Sequence, residues 1–166
     1  MFSFKKSYQE KFTESFNRIS LIVLFFILCV LMLLVVSDDS DAFVVDGNYY
    51  RIIEGSDNEV TISKCYNVGD YVMPSTVTYE GVTYKITRIG INAFEDSTLT
   101  SIVIPEGVTK IGSTVFEGCE NITSVVIPEG VTEIGVSAFR SCRNLTSIAI
   151  PDSVTKIGGR AFSGCS

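Results

Sequence analysis

The chain has 166 residues, 46% of them hydrophobic and 19% charged, a composition that excludes a disordered polar chain. Its net charge of −6 is unevenly placed: residues 1–20 carry +2 and the rest −8, an acidic body without the basic patch that nucleic-acid binding requires. There is no histidine, which removes the commonest general base and the commonest metal ligand together.

In chain order, residues 1–18 form a basic segment with Lys5, Lys6, Lys11 and Arg18. Residues 19–36 follow: Ile19 and Ser20, then the apolar run LIVLFFILCVLMLLVV from Leu21 to Val36. As a helix, this stretch reaches about 27 Å, just short of a hydrocarbon core of about 30 Å. A cleaved signal peptide has a shorter apolar stretch and small residues at the cut. Val35-Val36-Ser37 supplies them poorly, so an uncleaved transmembrane signal anchor fits better. The basic flank then stays cytoplasmic and the C-terminal part faces out, with secretion after cleavage as the alternative. Cys29 lies within the stretch and has Ile27 and Leu28 before it, not the small residues of a lipid-attachment site. Residues 37–42 read as an acidic linker; Asp38, Asp39, Asp41 and Asp46 do not keep the spacing of a calcium-binding helix–loop–helix site. Residues 43–85 read as a β-rich N-terminal module.

Residues 86–166 repeat. LTSIVIPEGVTKIGSTVFEGCEN from Leu99 is followed by ITSVVIPEGVTEIGVSAFRSCRN from Ile122 and LTSIAIPDSVTKIGGRAFSGCS from Leu145. Pro105, Pro128 and Pro151 keep one constant step, and Phe116, Phe139 and Phe162 keep the same step, as do Cys119, Cys142 and Cys165. A degenerate earlier copy supplies Ile89-Gly90 and Ala93-Phe94. Within a copy, Leu99, Ile102 and Ile104 alternate as in a short strand, which Pro105 ends because it has no amide proton. Val108–Ile111 reads as a second short strand, Gly112 as a bend, and Ser113–Asn121 as a returning helical turn or loop with Phe116 and Cys119 inward. One such coil cannot bury enough apolar surface to offset its ordering entropy, so the copies must stack. The expected fold is a β-rich solenoid of 23-residue coils with short parallel strands, behind a transmembrane or signal helix.

The pattern L-T-S-I-x-I-P-x-x-V-T-x-I-G-x-x-A-F-x-x-C-x-N resembles the BspA-type, or Treponema pallidum type, leucine-rich repeat over residues 86–166. The stretch DGNYYRIIEGSDNEVTISKC before it resembles the β-rich lead-in of such arrays. The resemblance implies a surface or secreted protein that attaches to host cells, matrix proteins or other microbes. No cofactor is expected, and no metal either, because the cysteine column lacks histidine and adjacent carboxylates.

Nothing in the sequence marks a catalytic site. Without histidine no Ser/His/Asp or Cys/His set exists, and no phosphate-cradling glycine loop occurs. The cysteine column is close enough for disulfides in principle, but small buried hydrophobes are the simpler reading. The sequons at Asn121 and Asn144 fall on one repeat position, where asparagine suits the turn before the strand. Alternation leaves Ser101, Val103, Ser124, Val126, Ser147 and Ala149 pointing out, a small, nearly uncharged face suited to a protein or glycan outside the cell. Such residues are also good strand formers with no further role. The sequence stops at Ser166 before a next strand begins, so the expectation is a longer array, or self-association through the open end.

Overall fold

The computed structural model describes residues 41–165. The predicted basic segment, the apolar segment at 19–36 with Cys29, and most of the acidic linker lie outside the described residues.

The first elements are antiparallel. Strands β1 (Ala42–Val45) and β2 (Asn48–Ile52) form a hairpin whose turn residues, Asp46 and Gly47, have φ of 50° and 76°. This is the primed turn geometry that matches strand twist, and Asp-Gly suits it. Strand β3 (Glu59–Lys64) pairs antiparallel with β2 and then parallel with β6 (Val82–Ile89). From β3 onward every pairing between successive coils is parallel. The first sheet runs β1-β2-β3-β6-β8-β10-β11, with β8 at Lys110–Ile111, β10 at Glu133–Ile134 and β11 at Lys156–Ile157. Strand β5 (Thr76–Tyr79) pairs with β6 as a side hairpin. The second sheet runs β4 (Gly69–Val72), β7 (Leu99–Val103) and β9 (Ser124–Val126), all parallel.

Register turns the sequence period into columns. Ile62, Ile89, Ile111, Ile134 and Ile157 stand in line across the first sheet. Tyr71, Ile102 and Val125 do so across the second. The returning segments form a third side that is neither helix nor strand. Alternate amides there bond to the next coil: Thr114 N donates to Val136 O at 2.9 Å, Phe116 N to Ala138 O at 2.7 Å and Gly118 N to Arg140 O at 2.9 Å. The residues Ser113–Asn121 thus form turns whose amides serve the neighbouring coil instead of a local helix.

Inside, Phe94, Phe116 and Phe139 are fully buried and stacked at centroid distances of 5.2 and 5.1 Å; Phe162 continues the stack at 5.3 Å. Offset stacking at this spacing adds to the burial term. Tyr71 ends the column, its ring 6.0 Å from that of Phe94. Cys119 and Cys142 are buried as free thiols, and each donates to the carbonyl of a phenylalanine in the previous coil, Phe94 at 3.0 Å and Phe116 at 3.1 Å. Cys165, half-buried, does the same toward Phe139 at 3.2 Å. Burial raises all three thiols above their ordinary range, Cys142 to about 12. The column therefore consists of protonated thiols that cap backbone carbonyls.

Stacking reaches further back than the regular repeats. Strands β3 and β4 already lie in the two sheets, although the step from Ile62 to Ile89 is longer than the one from Ile89 to Ile111. The β5–β6 hairpin lengthens one side of that coil, and the third side is shortened.

Candidate functional site

The outer face of the second sheet is built by alternation. In β7 and β9, Ile102 and Val125 point into the core, so Val103 and Val126 point out, 39% and 51% exposed. Ser124 is exposed and Ser101 half-buried on the same face. Ser147 and Ala149 are exposed in the last coil, but residues 147–149 are not paired into the sheet as a fourth strand. Four of the six residues singled out from sequence thus share a hydrogen-bonded sheet, and two lie in a segment outside it.

The sheet also brings in residues that the repeat alignment did not reach. Register places Val72 of β4 beside Val103, and Val103 beside Val126. Val72 is 73% exposed, so three valines form a continuous apolar row across three coils. At the β4 end, Asp70 accepts hydrogen bonds from Ser101 Oγ at 2.6 Å and Thr100 Oγ1 at 2.7 Å. These two donors hold the Asp70 carboxyl below the ordinary carboxylate range. It is the one charge of β4, β7 and β9. The signal for β4 was present in the alternation of Gly69–Val72, yet it sits in a coil of irregular length.

The outer face of the first sheet differs in kind. Arg88, Lys110, Glu133 and Lys156 stand in register there. Glu133 bridges two lysines, its Oε2 2.8 Å from Lys110 Nζ and its Oε1 2.7 Å from Lys156 Nζ. Arg140 pairs with Glu117 at 2.9 Å on the third side. These ion pairs join successive coils, and the charged residues there are largely engaged with one another. Asn121 and Asn144 are exposed, each in the turn just before the strand position of its coil.

The comparisons agree with this architecture. The profile for the BspA type leucine rich repeat region matches residues 58–166 in six copies, beginning ahead of the residue-86 limit of the resemblance. A leucine-rich repeat protein from Bacteroides capillosus is 30% identical, with a TM-score of 0.64 over 71% of this chain and 88% of its own. A leucine rich cell surface protein from Faecalibacterium prausnitzii is 34% identical, with a TM-score of 0.66 over 76% of this chain and 35% of its own. This chain thus spans about a third of that protein. The T. pallidum leucine rich repeat protein, 24% identical with a TM-score of 0.55 over 70% of this chain and 64% of its own, shares the fold. A search of curated sequences returns no significant match. With two sheets of parallel strands stacked coil upon coil and a six-copy match that covers more than half of its length, the chain belongs to the BspA-type leucine-rich repeat family.

Proposed function

We propose that this chain is a cell-surface recognition module that binds a protein or glycan outside the cell through the outer face of its second sheet. The apolar segment at residues 19–36 holds it at the membrane, or directs its secretion where that segment is cut. The function is binding, not catalysis. The observation that carries this reading is the row Val72, Val103 and Val126, exposed side by side with serines between and one carboxylate at the edge. Solvent-facing strands of a stable fold ordinarily carry polar side chains, and a contiguous apolar row on a rigid sheet suits a partner surface. Each coil adds one rung to the row, which is how repeat proteins extend a contact area. The similarity to a protein described as a leucine rich cell surface protein supports the location.

The test is binding of the full chain to arrays of extracellular-matrix proteins and glycans, repeated with Val103→Asp and Val126→Asp. Truncating or charging a central contact residue commonly costs about 2 kcal/mol or more, so an affinity loss of about thirtyfold is expected for the double variant. Affinity that survives both substitutions sinks the reading. Concentration-dependent assembly without any captured ligand favours a structural, self-associating array in its place.

A further inference from the structure

The valine row has a charged border. Each regular coil turns from the second sheet toward the first through Pro-Glu-Gly-Val, Pro-Glu-Gly-Val or Pro-Asp-Ser-Val. Glu106 and Glu129 therefore follow Val103 and Val126 by the same short step, and Asp152 takes the equivalent place in the last coil. Val103 pairs with Val126 before the turn, and Lys110 with Glu133 after it, so Glu106 and Glu129 stand level on adjacent coils. The pairing of Glu133 with Lys156 brings Asp152 into the same column. All three carboxylates are exposed.

Turn chemistry does not ask for an acid there. Val108 N, Val131 N and Val154 N close the turns onto Pro105 O, Pro128 O and Pro151 O at 3.4, 3.3 and 3.1 Å. The acidic residue is thus the second of four, a position that accepts most residue types. Like charges stacked on neighbouring strands, about 4.8 Å apart, are destabilising. The other sides avoid this: Glu133 stands between Lys110 and Lys156, and Glu117–Arg140 and Glu120–Arg143 join coils on the third side. Among the described residues, Glu106, Glu129 and Asp152 form no ion pair, although Lys85 lines the same depression as Glu106. Strands β4, β7 and β9 contribute Asp70 and no lysine or arginine.

An apolar row bordered by carboxylates without counter-charges selects its partner by sign. We propose that the valine row receives a cationic protein segment, one in which lysine or arginine flanks apolar side chains. The apolar side chains cover Val72, Val103 and Val126, while the cations meet the carboxylate column on one border and Asp70 at the β4 end. This rests on the sheet-face reading and narrows it from protein or glycan to protein. A sulfated or sialylated glycan meets like charge at this border, and a neutral glycan leaves the column uncompensated.

The experiment titrates the full chain with labelled synthetic peptides of equal length, alternating lysine–leucine, lysine–serine or glutamate–leucine, and with a heparin oligosaccharide. The lysine–leucine peptide is expected to bind about tenfold more tightly than any of the others. Joint Glu106→Gln, Glu129→Gln and Asp152→Asn substitution is expected to weaken it about tenfold, more at low salt than at high. The melting temperature of that variant should equal or exceed the wild-type value, since only repulsion is removed. Glu54→Gln, Asp57→Asn and Glu80→Gln remove as many charges from exposed positions in the β2–β3 and β5–β6 turns, and should change affinity less than about twofold. Equal losses in the two triple variants overturn the proposal, as does tighter binding of heparin or of the glutamate–leucine peptide. A lowered melting temperature in the column variant also overturns it, by assigning the carboxylates to the fold. Val103→Ser with Val126→Ser changes no charge and separates the two readings. Lost binding there, with none lost in the column variant, sinks only the choice of partner; the reverse removes the sheet face and this proposal with it.

Discussion

Gly90, Gly112, Gly135 and Gly158 occupy one column at the end of the first-sheet strands. Sequence alone suggests backbone freedom at a bend for Gly112; the structure gives a different reason. None of the four has a left-handed φ. Instead, the coils approach so closely that a Cβ on Gly135 meets the carbonyl carbon of Gly112 at 2.4 Å, and one on Gly158 meets that of Gly135 at 2.5 Å. The obstructing atoms are backbone, which cannot swing aside. Gly135→Ala is therefore expected to destabilise by about 2 kcal/mol or more, read from the midpoint of urea unfolding. Gly130 serves as the contrast: a Cβ there meets only Val108 O at 3.6 Å, and its φ is not left-handed. Gly130→Ala should be neutral or stabilise by up to about 1 kcal/mol, through the unfolded chain. Equal effects at the two sites contradict the close-approach argument. The left-handed backbone occurs elsewhere, at Asn92, Thr114, Ser137 and Arg160, one repeat position filled by four residue types. No residue preference announces that conformation. The inter-coil bonds from the amides of Asn92, Thr114 and Ser137 impose it, so it was not legible in the sequence.

Among the elements, the short strands β8, β10 and β11 have two residues each, and they rely on neighbours for rigidity. Glu133 at the centre of the three receives hydrogen bonds from Lys110 and Lys156, and these hold its carboxyl down to about 2. A carboxyl whose folded-state pKa is depressed stabilises the fold above its unfolded pKa, near about 4.3, and loses that contribution as pH falls toward the folded value. Wild type and Glu133→Gln should therefore differ most in melting temperature at neutral pH and converge between about pH 4 and pH 2. High salt should shrink the difference, since the pairs lie at the surface. A gap that stays constant with pH would assign the effect to packing. The strands of the regular coils were legible because proline, isoleucine and phenylalanine recur at a fixed step. The coil through β3 and β4 was not. It has Tyr66 exposed near the position where later coils bury a phenylalanine, and the β5–β6 hairpin breaks the period. Half of the candidate face was legible for the same reason: Val103 and Val126 lie in regular coils, whereas Asp70 and Val72 do not.

At the scale of the whole molecule, each regular coil touches mainly its two neighbours, and stability is close to a sum of coil and interface terms. That permits removal of one complete coil. Deleting residues 122–144 joins Asn121 to Leu145, which reproduces the Asn144-to-Leu145 boundary already in the chain. Gly112 then stacks on Gly158, Phe116 on Phe162 and Cys119 on Cys165, with every column in phase. The shortened chain should keep its β-type circular dichroism and unfold in one transition, at lower denaturant and with a smaller m-value because less surface is exposed. Deleting residues 122–133 puts strand against turn, and that chain should fail to fold. One column suffers in the first case: Lys110 loses Glu133 and comes into register with Lys156, two like charges side by side. Lys156→Glu in the shortened chain should restore an opposite pair and recover part of the lost stability at low salt, more than the same substitution does in the full-length chain, where it sets two carboxylates against each other. If the two deletions behave alike, or Lys156→Glu acts equally in both chains, the coils are not stacked in the register described.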